Sequence, residues 1–247
     1  GSAQVRVEGL QSVWVVSGDY KRNADPTCEA FEEVSCDVFI SEATFAMPIY
    51  HWKEGKQIVE ELYKWWSSEP HHPSILFCYA FGKAQRVLAE LSKFTNRPVY
   101  VHGAIESLMP AFRKQDIAFV ENHPVSSMER NHDWAGDLIL APPSAHRSVW
   151  MKRFKNPQTA FASGWMQIRG ARRRRGYERG FVLSDHADWS GLVRSILATK
   201  AKTILLTHGQ TEVLGRFLKE KHGLEVYPLR TRFGEDEVEE ELSNKIS

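Results

Sequence analysis

Four short stretches of this sequence carry side chains able to hold a metal ion or move a proton, and each follows an apolar run. Asp19 stands in "VVSGDYKR", Glu42 in "ISEATF", His186 between Asp185 and Asp188 in "LSDHADW", and His208 in "LTHGQ". A carboxylate just past a strand suits a metal ligand or a catalytic acid. Glu42 is costly to bury alone, so a partner is expected, and a histidine brought from another strand is a reasonable one. The alternative for Glu42 is a side chain that points to solvent beyond the sheet edge. Carboxylates around His186 fix its tautomer and raise its basicity. Asp185 or Asp188 is equally placed to cap the helix begun by "WSGLVRS". His208 precedes a glycine that lets the backbone turn sharply; by itself it reads first as a structural histidine at a strand–helix junction.

Those residues need a frame, and the hydrophobic pattern supplies one. "AQVRVEG" and "SVWVVSG" read as a hairpin, and "CDVFISEATF" as a buried strand. "EGKQIVEELYKWWSSE" is an amphipathic helix with Ile58, Val59, Leu62, Trp65 and Trp66 on one face. A strand "HPSILFCYAF", a helix "GKAQRVLAELSKF", a strand "RPVYVHG", a helix near 105–114 and strands "DLILAPP" and "QTAFASG" follow. The chain then runs through a strand "GFVLSDH", a helix "SGLVRSILATK", a strand "KTILLTHG", a helix "TEVLGRFLKEK" and a last strand "LEVYPL". Strands separated by helices of this length imply an α/β protein with parallel strands. Open α/β sheets place their sites outside the carboxyl ends of the strands. Asp19, Glu42, His186 and His208 therefore read as one site assembled from distant segments.

Composition narrows the setting. The chain has 247 residues, 42% hydrophobic and 11% aromatic, ample for a buried core. No run approaches the roughly 18 apolar residues of a membrane span, and no secretory pattern opens the chain. Cys28, Cys36 and Cys78 have no C-x-x-C spacing, which argues against a disulfide framework or cysteine-rich zinc site and for a reducing, cytoplasmic location. Lys and Arg number 32 against 31 Asp and Glu, so net charge names no polyanionic partner. Its distribution does more: "RGARRRRGYER" gathers Arg172, Arg173, Arg174 and Arg175, whereas residues 234–247 form an acidic tail. The arginine run suits phosphate contact or a solvated loop equally well.

Taken in order, "SGDYKR", "ISEATF", "YAFGKAQR", "ASGWM", "LSDHADW" and "LTHG" resemble the metallo-β-lactamase/β-CASP nucleases, and within them the bacterial ligase-associated DNA exonucleases. The resemblance runs from Ala3 to about Arg230. It implies a partial metallo-β-lactamase αββα sandwich with an inserted β-CASP α/β domain. On that plan residues 1–43 and 181–233 are parts of the lactamase domain, 44–180 the β-CASP domain and 234–247 a tail. Asp19 matches the aspartate that bridges two zinc ions and His208 the late histidine that completes one zinc's coordination. Glu42 and His186 match an acid–histidine pair, the glutamate orienting an imidazole that meets the scissile phosphate or leaving oxygen. Lys83, Arg86, Ser163 and Gly164 match positions facing a nucleic-acid cleft.

The resemblance thus implies a zinc-dependent DNA exonuclease, with manganese as an alternative metal, acting in DNA repair or end processing. DNA is the expected partner, with a ligase or helicase by family association. An RNA-processing β-CASP enzyme and a non-catalytic nucleic-acid-binding remnant are the alternatives. The family's early H-x-H-x-D-H motif has no counterpart among these residues, and the match starts just after the place of a further family histidine. The chain is therefore expected to be truncated at its N-terminus, and inactive by itself with Asp19 and His208 as its metal ligands.

Overall fold

A computed structural model describes residues 3–168, 170 and 176–229. Two compact units emerge. One is built from residues up to Arg22, Phe31–His51 and the chain from His186 on; the other comprises Asn23–Ala30 and Trp52–Asp185. The spans differ from the 44–180 insertion expected from sequence. Residues 44–51 stay with the first unit because Ala43 and Ala46 belong to its core, where Tyr20 and Phe39 also lie. Asn23–Ala30 goes to the second.

The first unit holds a five-stranded sheet in the order β1 (Val5–Glu8), β2 (Val13–Val16), β3 (Val38–Ala43), β10 (Thr203–Gly209), β11 (Glu225–Pro228). β1 and β2 form the expected hairpin, and the remaining neighbours are parallel. Alternation sorts the side chains to two faces. Val15, Phe39, Ile204, Leu206 and Val226 are buried with Leu192 and Ile196 of helix α5 (Trp189–Ala198) and Leu214 and Leu218 of α6 (Thr211–His222). Asp188 caps α5 by accepting from the Gly191 N–H at 2.7 Å, and Gly223 closes α6 in the left-handed conformation, φ 65°. On the opposite face the β1–β2 hairpin presents an exposed apolar patch: Val5 and Val7 stand beside Val16 and Trp14, and all four are exposed.

The second unit is a six-stranded, all-parallel sheet ordered β6 (Asn122–Pro124), β5 (Val99–Val101), β7 (Leu138–Ala141), β4 (Ser74–Phe77), β8 (Gln158–Ala162), β9 (Arg179–Phe181). Both faces of the central strands are covered, which is why β4, β5 and β7 are buried along their whole length. Leu76, Leu138, Leu140 and Ala160 pack on Ile58, Leu62 and Trp66 of α1 (Gly55–Ser67) and on Val87 and Leu88 of α2 (Lys83–Leu91). On the other face Ile75, Phe77, Ile139 and Phe161 meet Trp134, Phe154 and Met166. The helix expected near 105–114 is two short ones, α3 (Gly103–Glu106) and α4 (Met109–Arg113). Pro110 explains the break, because its ring clashes with the carbonyl four residues back and it has no N–H to donate.

Among the described residues, no helix is long and apolar enough to cross a membrane. The acidic tail and Arg172–Arg175 lie outside the described residues.

Two outcomes follow from these packing patterns. Apolar faces of this kind bind other apolar surfaces, so the 247-residue chain should bind the dye ANS and self-associate as concentration rises in sedimentation experiments. The double change Val7→Thr and Trp14→Lys should reduce both; unchanged association would place the sticky surface elsewhere. In the second unit His146 packs on Tyr177 and Phe77, and burial, aided by Arg147, lowers its pKa. Its contribution to stability is therefore present above the unfolded value of about 6.5 and is lost as pH falls through the lowered folded value. Urea denaturation at a series of pH values should show a shallower acid-side loss of stability for His146→Phe than for the parent.

Candidate functional site

The site grows from the way β2 ends. Ser17 continues the ladder past Val16 by donating its N–H to the Ile40 carbonyl at 3.0 Å, and Gly18 then turns the chain at φ 58°. That turn releases Asp19 to solvent and swings the next peptide N–H, that of Tyr20, onto Glu42 Oε1 at 3.1 Å. Glu42 itself lies inside β3 with its side chain 1% exposed. Its second oxygen, Oε2, meets His186 Nδ1 at 2.8 Å.

His186 lies in the loop between β9 and α5, five residues beyond the last residue of the strand rather than at its end. Two contacts hold that loop: Ala187 donates its N–H to the Tyr20 carbonyl at 2.6 Å, and Trp189 donates to the Tyr50 carbonyl at 3.2 Å. The Phe45 ring packs edge-on against the His186 ring, centroids 5.7 Å apart. Asp19 Oδ1 stands 4.0 Å from His186 Nδ1. Asp19, Glu42 and His186 thus gather three potential ligand atoms within 4.8 Å of one another.

Glu42 accepts on both oxygens, so Nδ1 of His186 carries the hydrogen of their bond and Nε2 is the ring's other polar atom, able to take or deliver a proton. The donor chemistry, carboxylate oxygen with imidazole nitrogen, suits a divalent cation such as zinc. Both Glu42 oxygens and Nδ1 are engaged, and Asp19 offers the solvent-facing carboxylate of the three, its side chain 57% exposed. Tyr20 is buried, and burial together with the nearby Glu42 charge pushes its phenol well above the usual tyrosine range; its hydroxyl stays protonated.

His208 stands apart from that trio. It occupies a bulge where β10 pairs with β3, Thr207 opposite Glu42 and Gly209 opposite Ala43, and its own φ is 58°. A side chain at Gly209 would collide with the Ala43 carbonyl, so glycine is required there. The bulge puts the His208 ring into solvent, one residue along from the Glu42 level.

The residues expected to face a nucleic-acid cleft have other surroundings. Lys83 Nζ lies 3.1 Å from Asp185 Oδ2, and Arg86 reaches the Ser184 carbonyl at 2.9 Å and the carboxylates of Asp25 and Asp185 at 3.6 and 3.9 Å. Both cations are buried, with side chains 3% and 2% exposed. Their charges are thus met within the protein, and a phosphate would have to displace a carboxylate to reach them. Ser163 is buried and caps the turn Gly164–Gln167, accepting from the Trp165 N–H at 3.4 Å; Gly164 is buried as well. Gly55 makes room for the Arg86 guanidinium, which a side chain there would strike.

Sequence reasoning passed over Tyr20, Ala187 and Asp25. A large aromatic directly after Asp19 was the available signal for Tyr20; nothing local marks Asp25 as the partner of a residue 61 positions on. Removing Arg86 leaves two carboxylates around an emptied buried site, so Arg86→Ala should destabilise the protein by about 3–5 kcal/mol. Denaturant unfolding measures this, and a loss under about 1 kcal/mol would mean the ion pairs behave as solvated ones.

No family profile matches this chain. A protein called "Probable DNA ligase" from Opitutus terrae is 28% identical over 242 residues, which are 96% of this chain but 22% of that protein. The chain thus spans about a fifth of the length of that curated relative. A crystal structure of a protein of unknown function from Enterococcus faecalis V583 superposes on 95% of this chain and 60% of its own, with TM-score 0.57 at 11% identity, which shows a shared fold.

Proposed function

We propose that this chain carries the proton-transfer half of a metal-dependent DNA phosphodiesterase, an exonuclease of the metallo-β-lactamase/β-CASP type. The observation that carries the reading is the Glu42–His186 hydrogen bond of 2.8 Å beside the exposed Asp19 carboxylate. Segments 144 residues apart in sequence converge there, and burying Glu42 has no benefit to folding that an apolar residue would not supply more cheaply. The relative's printed name, a probable DNA ligase, supports DNA as the substrate class.

In this reading Glu42 fixes the ring of His186, and His186 Nε2 delivers a proton to the oxygen leaving phosphorus as the ester bond breaks. Asp19 would hold zinc, or manganese in its place, with donors from other segments; His208, exposed and apart from the trio, joins that set by the family resemblance alone. A bound zinc ion would supply an activated water and neutralise charge on the phosphate oxygens. The second unit is then the inserted β-CASP domain, and Lys83 and Arg86 serve its architecture.

The test uses the protein expressed from its whole reading frame, with labelled single-stranded DNA and a matching RNA, zinc or manganese, and a chelator control. Chelator-sensitive digestion of DNA is expected, falling about 10²- to 10⁴-fold in His186→Gln and similarly in Asp19→Asn. Digestion indifferent to these changes, preference for RNA, or binding without turnover would each replace this reading.

A further inference from the structure

We propose that Tyr20 is the positioning residue of the acid–histidine pair. It touches the site at three points. Its N–H donates to Glu42 Oε1 at 3.1 Å, its carbonyl accepts from Ala187, the residue after His186, at 2.6 Å, and its hydroxyl meets Ser41 Oγ at 3.1 Å. It is also the residue directly after Asp19.

The direction of the hydroxyl chain follows from counting hydrogens. With Ser41 donating its hydroxyl hydrogen to the Glu42 carbonyl at 2.9 Å, the Tyr20 hydroxyl serves as the donor to Ser41. Tyr20 therefore restrains Glu42 twice, through its carboxylate by the peptide N–H and through its main chain by way of Ser41. Strand alternation makes this possible. Ser41 points to the helix-covered face of the sheet with Phe39, and Glu42 to the opposite face with Ile40. The Tyr20 ring lies on the covered side, stacked on Phe31 with centroids 4.4 Å apart, while its peptide group stays at the level of Glu42. A chain of hydrogen bonds in a dry setting is worth more than its parts taken singly. Loosening it lets the carboxylate and the ring drift from the distance at which the pair works.

The kinetic half of the following test rests on the phosphodiesterase reading; the spectroscopic half does not. Tyr20→Phe keeps the stacking and both main-chain bonds and removes only the hydroxyl, with its contacts to Ser41 and Ser195. Ser41→Ala breaks the same arm one step further on, and serves alone if Tyr20→Phe does not fold. In ¹⁵N-histidine-labelled protein, the His186 Nδ1–H resonance is assigned by its absence from His186→Gln. The expected result is that this signal shifts and broadens by exchange in Tyr20→Phe and in Ser41→Ala, and that the double variant goes no further than either single. In the DNA assay kcat should fall about 2- to 10-fold, the net effect of one hydrogen bond, with KM unchanged. A parent-like resonance in folded Tyr20→Phe, even with a lowered melting temperature, would mean that Tyr20 only packs, and would overturn the proposal. So would losses that add in the double variant. If the parent protein does not cleave DNA, the functional reading fails, and the resonance still decides the role of Tyr20.

Discussion

A carboxylate almost wholly removed from water must recover its solvation from the protein, and the first unit is arranged around that requirement at Glu42. Satisfying Oε1 takes the Tyr20 N–H, which comes into reach only because Gly18 turns the chain just after β2. Satisfying Oε2 takes an imidazole from the far end of the sequence, and that ring arrives because Ala187 bonds to the Tyr20 carbonyl and Asp188 starts α5 on the next turn. Each bond depends on the others being made. Removing one leaves a buried oxygen exposed to a desolvation cost of about 1–3 kcal/mol, a large share of the stability of a typical domain.

The two units meet the problem of buried charge in different ways. In the second, Lys83 and Arg86 sit among Asp25 and Asp185, with positive and negative groups in equal number, and the central strands of the sheet are covered on both faces. Charges met in this way leave little to offer a ligand. In the first unit Asp19 stands exposed beside a histidine that is itself partly open, 57% and 26% exposed by side chain. Chemistry is therefore easier to locate in the first unit, although the sequence places its most basic motif in the second.

Much of this frame was legible beforehand because the hydrophobic period announces it. The hairpin, β3, α1, β4, α2 and the parallel order of strands follow from alternation and from the apolar stripe of Ile58, Val59, Leu62, Trp65 and Trp66. The pairing of Glu42 with a distant histidine was readable too, since an acid inside an apolar strand demands a partner. What could not be read were features set by single residues or by long-range contact. β6 is three residues containing a proline, too short and too polar for any periodic signal. The split between α3 and α4 turns on Pro110 alone. Lys83 and Arg86 look like phosphate contacts in "GKAQR" because the carboxylates that neutralise them, Asp25 and Asp185, are remote in the sequence. Beyond its place after Asp19, nothing marked Tyr20 as a hub, because two of its three site contacts are made by its peptide group, which every residue possesses.

Which nitrogen of His186 faces the carboxylates decides what the cluster can be. Nδ1 is the atom close to both Glu42 and Asp19, at 2.8 and 4.0 Å, and the bond to Glu42 leaves a hydrogen on it. A nitrogen that carries a hydrogen has no lone pair for a metal, so an ion held at Nδ1 would have to displace the Glu42 bond and leave a buried carboxylate to find another partner. The same bond does what a carboxylate commonly does for a working imidazole: it fixes the tautomer and the orientation of the ring. The geometry therefore divides the labour. Asp19 is suited to meet a cation, Glu42 to hold a ring still, and His186 to move a proton through Nε2.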